Sequence, residues 1–387
     1  MRILLVLFLS IILCYSCSSE NDAAYSYHQP EPSDDGLKVG SLVEVDISEQ
    51  PLSNAIKQIE LGKYKEVHSI LIFKNDCLVF EEYFKGHQFD YEAERHLGKL
   101  IQWDQSTIHR AMSVTKSITS ACIGIAIDKG FIQSGDQSVF DYLPGYQELN
   151  TQGKKEIAIK NLLTMTSGLE GNEWLLPYSN PRNDILMTYY SEDPIAHILG
   201  KPLMNKPGTN FQYFGGSNLL LAAILKNATK MNLDEFAEQY LFNPLGISSY
   251  QWLKINKGIV DGAGGLIMKP RDLLKIGVTY LNYGIWNRKQ IISREWIDKC
   301  ASPFPGNQWV NNWDDEWGMR GYAYSWWTHS FAQAGEKLDM YYAAGWGGQY
   351  IMVIPKLKTV VVFTGGNYTS YRPPFEILKK YIIPAIQ

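Results

Sequence analysis

A strongly apolar segment follows Ser113 and predicts the helix around which the chain is built. Hydrophobic residues recur at helical spacing from Ile118 to Ile125, and further apolar residues fill much of the opposite side. Such a helix is expected to be surrounded by other elements on most of its faces. Lys129 and Gly130 predict its end, because a basic residue followed by a glycine is typical of helix C-termini.

Strand-like patterns occur near both ends of the chain, and helical patterns dominate between them. Two β-rich runs around a polar turn predict a hairpin over 69–83, and strand character returns only at 350–355 and 359–366. A sheet assembled from both termini, carrying a helical insertion, follows from this order. Helical patterns fall at 52–61, 157–169, 194–199, 219–228, 233–241, 270–281, 293–300 and about 375–386.

The same order predicts one folded unit over 55–387 with two lobes. We place an α/β lobe at about 55–110 and 340–387, and a mainly helical lobe at about 120–335. A cleft between lobes is a preferred place for a binding site. Ser113 begins the helix that crosses from one lobe towards the other, so its side chain is expected near that cleft.

The N-terminus is typical of a targeting segment. Residues 1–16 contain Arg2 and then a mostly apolar run that is too short to span a bilayer comfortably. The segment resembles a bacterial lipoprotein signal, with Cys17 as the lipidated residue after cleavage. Residues 17–54 are then expected to be a flexible tether, and the protein an exported cell-envelope lipoprotein of the outer membrane or periplasm. An uncleaved N-terminal anchor is the alternative.

Composition argues against several classes of protein. The formal net charge is −4 and the basic residues are scattered, so no nucleic-acid partner is expected. The seven histidines show no metal-ligand spacing and there is no Gly-rich phosphate loop, so no metal and no organic cofactor are expected. The sequence lacks the Gly-x-Ser-x-Gly turn of an α/β-hydrolase. Five cysteines are too few for a disulfide framework, and three are expected to be buried thiols, namely Cys77, Cys122 and Cys300.

Ser113 and Lys116 lie three residues apart at the start of the helix, so their side chains fall on the same face. A nucleophile would then stand beside a potential base, and the free N–H groups of the helix end suit an oxyanion near Ser113. The alternative is that Ser113 only caps the helix, which is the usual role of a serine there. Ser113 is the only serine in the chain with a lysine three residues later.

Two further stretches carry candidate chemistry. A Gly/Pro loop within 206–221 presents Tyr213 before a helix, and a Gly-rich approach at 343–350 leads into a strand. Glycines at such a place let backbone N–H groups come close to a ligand. Late tryptophans could line a cleft or could simply pack in the core, and they are Trp309, Trp313, Trp317, Trp326, Trp327 and Trp346.

With these motifs, the chain over about 55–387 resembles the serine β-lactamase and D,D-peptidase family, in its β-lactamase-related hydrolase and esterase branch. Further matches in the same order lie at 162–169, 243–247, 263–266 and 271–273. The resemblance implies an α/β (α+β) fold of the β-lactamase/transpeptidase type. Its antiparallel sheet would be built from both termini and flanked by helices, with a mainly helical lobe beside it.

Carried over position by position, the resemblance makes Ser113 the acylated nucleophile and Lys116 its base or proton relay. Tyr213 would be the second acid/base group, which serves the leaving group and then the deacylating water. The N–H groups of Ser113 and Gln349 would form the oxyanion hole. Without this context Tyr213 would be taken for a packed loop aromatic.

Departures from the family pattern concern the substrate. The chain has Gly215 where many relatives carry the asparagine of Tyr-x-Asn, so an amide that grips a substrate acylamino group is missing. Asn218 is a candidate to compensate. Trp346, Gly347 and Gly348 stand where lactamases carry Lys-Thr-Gly, which removes a cation suited to a β-lactam carboxylate.

The sequence therefore predicts a serine hydrolase that acts through an acyl-enzyme on small-molecule esters, small amides or peptide-like substrates. Trp174 is a further candidate substrate contact because the 172–174 stretch is expected to shape the cleft. A true β-lactamase or a D,D-carboxypeptidase/D-aminopeptidase is the alternative of the same class. A non-catalytic envelope lipoprotein that binds peptidoglycan fragments or a protein partner is the alternative of another class.

Overall fold

The computed structural model describes residues 25–308, 310, 320–333, 335–369 and 373–386. The signal segment 1–16, the lipidation candidate Cys17 and the tryptophans Trp309, Trp313 and Trp317 lie outside the described residues. The expectations placed on them stay predictions. Within the described residues, no helix is both long and apolar enough to cross a membrane.

The central layer is a seven-stranded antiparallel sheet with the order β10-β11-β12-β13-β14-β1-β2. Small sheets pair β3 with β4, β5 and β6 with β7, and β8 with β9. The described strands are β1 Val67–Lys74, β2 Cys77–Tyr83, β3 Lys85–Phe89, β4 Leu97–Gln102, β5 His109–Arg110, β6 Tyr250–Trp252, β7 Leu266–Met268, β8 Ile285–Trp286, β9 Lys289–Gln290, β10 Gly321–Tyr322, β11 Trp327–Gln333, β12 Glu336–Gly345, β13 Gln349–Ile354 and β14 Thr359–Gly365.

Helices cover both faces of this sheet. The described α-helices are α1 Glu49–Glu60, α2 Val114–Asp128, α3 Ile159–Leu163, α4 Asp184–Tyr190, α5 Pro194–Gly200, α6 Gly216–Thr229, α7 Leu233–Ala237, α8 Pro270–Leu281, α9 Arg294–Ala301, α10 Pro373–Ile377 and α11 Ile383–Ala385. Helices α2 and α8 pack on one face, and α1 with the C-terminal helices forms a second core on the other. Strand alternation explains the two cores, since Ile351 faces one and Met352 faces the other.

The predicted central helix is confirmed as α2, which is buried from Val114 to Ala126. Two of its threonines form hydrogen bonds with the neighbouring segment at 262–266. The Thr119 hydroxyl donates to Gly262 O at 2.8 Å, and the Thr115 hydroxyl accepts from Leu266 N at 3.2 Å. These bonds fix the start of α2 against the loop that carries Ala263.

The expected lobe boundaries need one correction. Strand character does not return only at 350, because β10, β11 and β12 extend the sheet back to Gly321. The stretch 321–345 mixes aromatic, charged and small residues, so its alternation is weak in the sequence. The helical region therefore ends earlier than 335, and the sheet side begins before 340.

The expected flexible tether is wrong for residues 25–54. This segment packs against the sheet, with Leu37, Leu42 and Ile47 buried, and α1 begins within it at Glu49. Arg271 of α8 holds the segment at another point. Its guanidinium donates to Glu81, to Asp35 Oδ2 at 3.2 Å and to Glu31 O at 2.8 Å. A single buried arginine therefore joins the N-terminal segment, β2 and α8.

Arg271→Leu is expected to lower the free energy of unfolding by about 3–5 kcal/mol, because Glu81 would keep its charge in a buried place without its cation. Urea denaturation measures this loss, and limited proteolysis should cut first within residues 25–37. The control Arg294→Leu removes an exposed arginine and should cost less than about 1 kcal/mol. Equal losses in both variants would contradict a structural role for the Arg271 cluster.

Candidate active site

Ser113 stands at the entrance of α2, where the backbone turns sharply into the helix. The preceding residue, Met112, has a φ of 48°, a left-handed conformation that costs energy for a side chain of this size. Ser113 is the N-cap residue, yet its hydroxyl makes no capping hydrogen bond. The hydroxyl instead accepts a hydrogen bond from Lys116 Nζ at 2.9 Å. The interpretation of Ser113 as only a helix cap is therefore wrong.

Lys116 is almost completely buried and has three polar neighbours. Besides Ser113, its Nζ donates to Ala263 O at 3.0 Å and lies 3.6 Å from Glu173 Oε1. It also lies 5.0 Å from the centre of the Tyr213 ring. This arrangement aims the nitrogen at the Ser113 hydroxyl, and it allows one proton to pass between the two groups.

Tyr213 is buried beside Ser113, at the end of the loop that precedes α6. Burial raises the pKa of its phenol well above the usual range, the nearby Glu173 carboxylate raises it further, and a hydrogen bond with Ser113 opposes both. The phenol therefore keeps its proton at neutral pH. Trp174 stacks on it with ring centres 4.6 Å apart and planes inclined by 11°, which fixes the orientation of the ring.

Glu173 was missed as a candidate site residue by reasoning from the sequence. Only 2% of the residue is exposed, and its Oε2 accepts from Gly215 N at 2.8 Å while its Oε1 accepts from Tyr178 Oη at 3.1 Å. A lone glutamate in a loop of mixed residues carries no pattern that predicts burial. The one available signal was its place directly before Trp174, in the stretch expected to shape the cleft.

Asp261 was also missed as a candidate site residue, and it holds the turn that contacts Lys116. Its Oδ1 accepts from the backbone N–H groups of Ala263 and Gly264 at 2.9 and 3.0 Å, and its Oδ2 accepts from Tyr189 Oη at 3.0 Å. Burial raises the pKa of this carboxyl. The carboxyl shapes the turn whose Ala263 carbonyl binds Lys116.

The Gly-rich approach predicted at 343–350 is the corner between β12 and β13. Gly345 lies against the entrance of α2, where a Cβ would come within 2.4 Å of Ala111 O. Gly347 and Gly348 have φ of 87° and 99°, so both need the conformational freedom of glycine. The corner therefore brings backbone rather than side chains close to Ser113.

Gln349 begins β13 with its side chain turned away from the cavity. Its Nε2 donates to Gly365 O at 2.6 Å, and its Oε1 accepts from Gly365 N at 3.1 Å. The amide thus continues the pairing of β13 with β14 beyond Tyr350 and holds the corner in place. The side chain of Gln349 is therefore engaged in strand pairing, and the oxyanion role of its backbone N–H stays a prediction.

Trp346, Gly347 and Gly348 join Ser113, Tyr213 and Trp174 around one cavity of about 390 Å³. The Trp346 indole donates to Tyr368 O at 2.8 Å, which fixes the ring at the wall. Among the residues of the described chain that line the cavity, none carries a charged side chain. The remaining wall residues are Tyr178, Trp327, Ala344, Gly345, Tyr350, Asn367, Tyr368 and Thr369.

Asn218 is not part of this cavity. It lies in the first turn of α6 and is completely buried among the helices, with no surface exposed to a substrate. The expectation that it compensates for the missing asparagine is therefore wrong. Its side-chain amide has no hydrogen-bond partner within the described residues, so no local hydrogen bond accounts for an asparagine at this position.

Comparison with known proteins agrees with this architecture. The profile of the Beta-lactamase family matches residues 69–372. A "Putative D-alanyl-D-alanine carboxypeptidase" of Escherichia coli K12 is 24% identical over 262 residues, which are 65% of this chain and 56% of that protein. The chain spans between about a third and somewhat over half of the length of the first curated relatives it matches.

Solved structures show the same fold. A "Putative 6-aminohexanoate-dimer hydrolase from Bacillus anthracis" superposes with a TM-score of 0.66 at 20% identity, covering 85% of this chain and 81% of that one. "EstCE1, a hydrolase with promiscuous acyltransferase activity" gives a TM-score of 0.66 at 14% identity, covering 88% of this chain and 100% of that one.

The antiparallel sheet, the flanking helices and the serine–lysine pair at a helix entrance define a protein of the β-lactamase/transpeptidase fold. The chain belongs to the Beta-lactamase family. The resemblance and the fold class inferred from the sequence are thereby confirmed.

Proposed function

We propose that this protein is a serine hydrolase that works through an acyl-enzyme on small esters or amides. The observation that carries the proposal is the 2.9 Å contact of Lys116 Nζ with Ser113 Oγ, where Ser113 lines the cavity. A serine hydroxyl becomes a useful nucleophile when an adjacent base removes its proton. Membership of the Beta-lactamase family supports the same reaction class.

In the proposed acylation, Lys116 in its neutral form accepts the Ser113 proton while Oγ bonds to the substrate carbonyl carbon. The carbonyl π electrons move to oxygen, and the N–H groups of Ser113 and Gln349 are the proposed donors to that oxyanion. When the tetrahedral centre collapses, the Tyr213 phenol gives its proton to the leaving group and is reprotonated through Lys116. One proton therefore moves overall from the nucleophile to the leaving group. Water then attacks the carbonyl carbon of the acyl-enzyme ester, and the same proton transfers in reverse order release the acid and restore the Ser113 hydroxyl.

Esters and small amides fit the cavity better than β-lactams. The wall carries Trp346 where lactamases place a lysine, and the lining residues in the described ranges offer no cation for a substrate carboxylate. Trp174 and Trp327 present near-parallel rings, with centres 6.2 Å apart, to an uncharged acyl or leaving group. The structural neighbours named a putative 6-aminohexanoate-dimer hydrolase and a family VIII carboxylesterase support this choice.

The proposal is tested with p-nitrophenyl acetate and butyrate beside nitrocefin, together with a fluorophosphonate that marks active serines. We expect ester turnover, little nitrocefin turnover, and a mass increase on the peptide that contains Ser113. Strong nitrocefin turnover would restore the lactamase alternative. Inactivity on all substrates with no labelling would overturn the proposal and favour a non-catalytic binding protein.

A further inference from the structure

Glu173 contacts Gly215, the position at which many relatives carry an asparagine. We propose that Glu173 is a positioning residue, which holds Lys116 and Tyr213 against Ser113 and sets the lower end of the pH range for turnover. The inference rests on the proposed function, because it concerns the same nucleophile. It assigns a role to a carboxylate that none of the sequence motifs contains.

The contacts of Glu173 connect both groups that flank Ser113. Its carboxylate accepts from Gly215 N at 2.8 Å, and its own backbone N–H donates to Tyr213 O at 3.2 Å. The loop that presents the tyrosine is thus bonded to Glu173 at two points. The other carboxylate oxygen lies 3.6 Å from Lys116 Nζ, so one residue fixes the distance between the lysine and the tyrosine.

Gly215 and Glu173 fit each other sterically. A Cβ at Gly215 would lie 3.0 Å from Glu173 Oε2, and equally close to side-chain carbons of Ala263 and Ile185. Such contacts are tighter than most, so a side chain at 215 would require these neighbours to shift by a few tenths of an ångström. The glycine at 215 therefore leaves room for the buried carboxylate of Glu173.

Glu173 places a carboxylate beside Lys116, whereas the asparagine that many relatives carry in this motif is a neutral side chain. The groups that face Lys116 are Ser113 of its own helix, Tyr213 of the loop before α6, Glu173 with Tyr178 of the loop before α4, and Asp261 with Tyr189 behind the Ala263 turn. Asp261 is already engaged by two N–H groups and a hydroxyl, and burial favours its neutral form. Glu173 is thus the carboxylate that lies directly beside the lysine nitrogen, at 3.6 Å.

The experiment compares Glu173→Gln with wild type by the pH dependence of kcat/KM for p-nitrophenyl butyrate. Glutamine keeps an acceptor for Gly215 N–H but has no charge. We expect the acidic limb to move to lower pH, because the variant removes the carboxylate that lies 3.6 Å from Lys116 Nζ. We also expect kcat to fall about tenfold or more with KM changed less than about threefold.

Glu170→Gln is the matched control, since Glu170 is exposed three residues earlier in the same segment and should leave the profile unchanged. If Glu173→Gln lowers kcat/KM equally at every pH, Glu173 is only structural and the inference is overturned. Should that variant not fold, Glu173→Asp keeps the charge but retracts the carboxylate. The Glu173→Asp variant should have a lower kcat, and the acidic limb of its pH profile should stay at the wild-type position. A wild-type kcat in this variant would contradict the inference.

Failure of the proposed function has a different signature. Wild-type protein that neither turns over esters nor carries a fluorophosphonate on Ser113 would reject the serine hydrolase itself. A labelled, active wild type whose acidic limb ignores Glu173→Gln would reject only the role of Glu173.

Discussion

Replacement of Ser113 by alanine is expected to lower ester turnover by at least about 10⁴-fold with almost no change in the free energy of unfolding. Turnover should fall because the hydroxyl is the proposed nucleophile. Stability should hold because that hydroxyl makes no capping bond, and Lys116 keeps Ala263 O and Glu173 as partners. Steady-state kinetics and urea denaturation of the purified variant measure the two effects.

Ser138 supplies the matched control because its side chain does cap a helical turn. Its Oγ accepts from Phe140 N at 3.3 Å, and Ser138 does not line the cavity. Ser138→Ala should therefore cost about 1 kcal/mol of stability and leave kcat and KM unchanged. If Ser113→Ala instead lost stability and kept its turnover, Ser113 would be a structural serine and the nucleophile would be elsewhere.

The parts of the fold that the sequence predicted well are those with strong local periodicity. The central helix, the first hairpin and the two last strands are apolar enough that burial and local preference agree. The strand β11 was missed because it mixes aromatic, polar and small residues, and β12 was missed because it begins with charged residues and ends in small ones. Their conformation depends on the pairing of β11 with β12 and of β12 with β13, and pairing is not visible in a single chain segment.

The candidate site divides in the same way. Ser113 and Lys116 are close because helix geometry brings them together, and that geometry is readable from a three-residue spacing. Glu173 reaches Lys116 from a loop distant in sequence, so no spacing predicts the contact. The prediction for Asn218 was wrong because a residue close to Tyr213 in sequence can still lie on the side of α6 that faces away from the cavity.

Gly345→Ala is expected to reduce kcat for esters by about 10²-fold or more. The added Cβ would lie 2.4 Å from Ala111 O and 3.1 Å from the Met112 Cβ, so the backbone just before Ser113 would have to move. Met112 already holds a left-handed conformation, which leaves little freedom to absorb the displacement there. A shift of about 1 Å between a nucleophile and its oxyanion donors is enough for a loss of this size.

The effect should fall on kcat more than on KM, because the methyl group acts on the geometry of attack and the aromatic walls stay in place. Gly200→Ala is the control, since a Cβ there meets no atom within 4 Å and the residue has no positive φ. It should behave as wild type in both kinetics and unfolding. A wild-type kcat in Gly345→Ala would mean that turnover does not depend on the position of Ser113 relative to the β12–β13 corner. The oxyanion donors would then have to lie elsewhere around the serine.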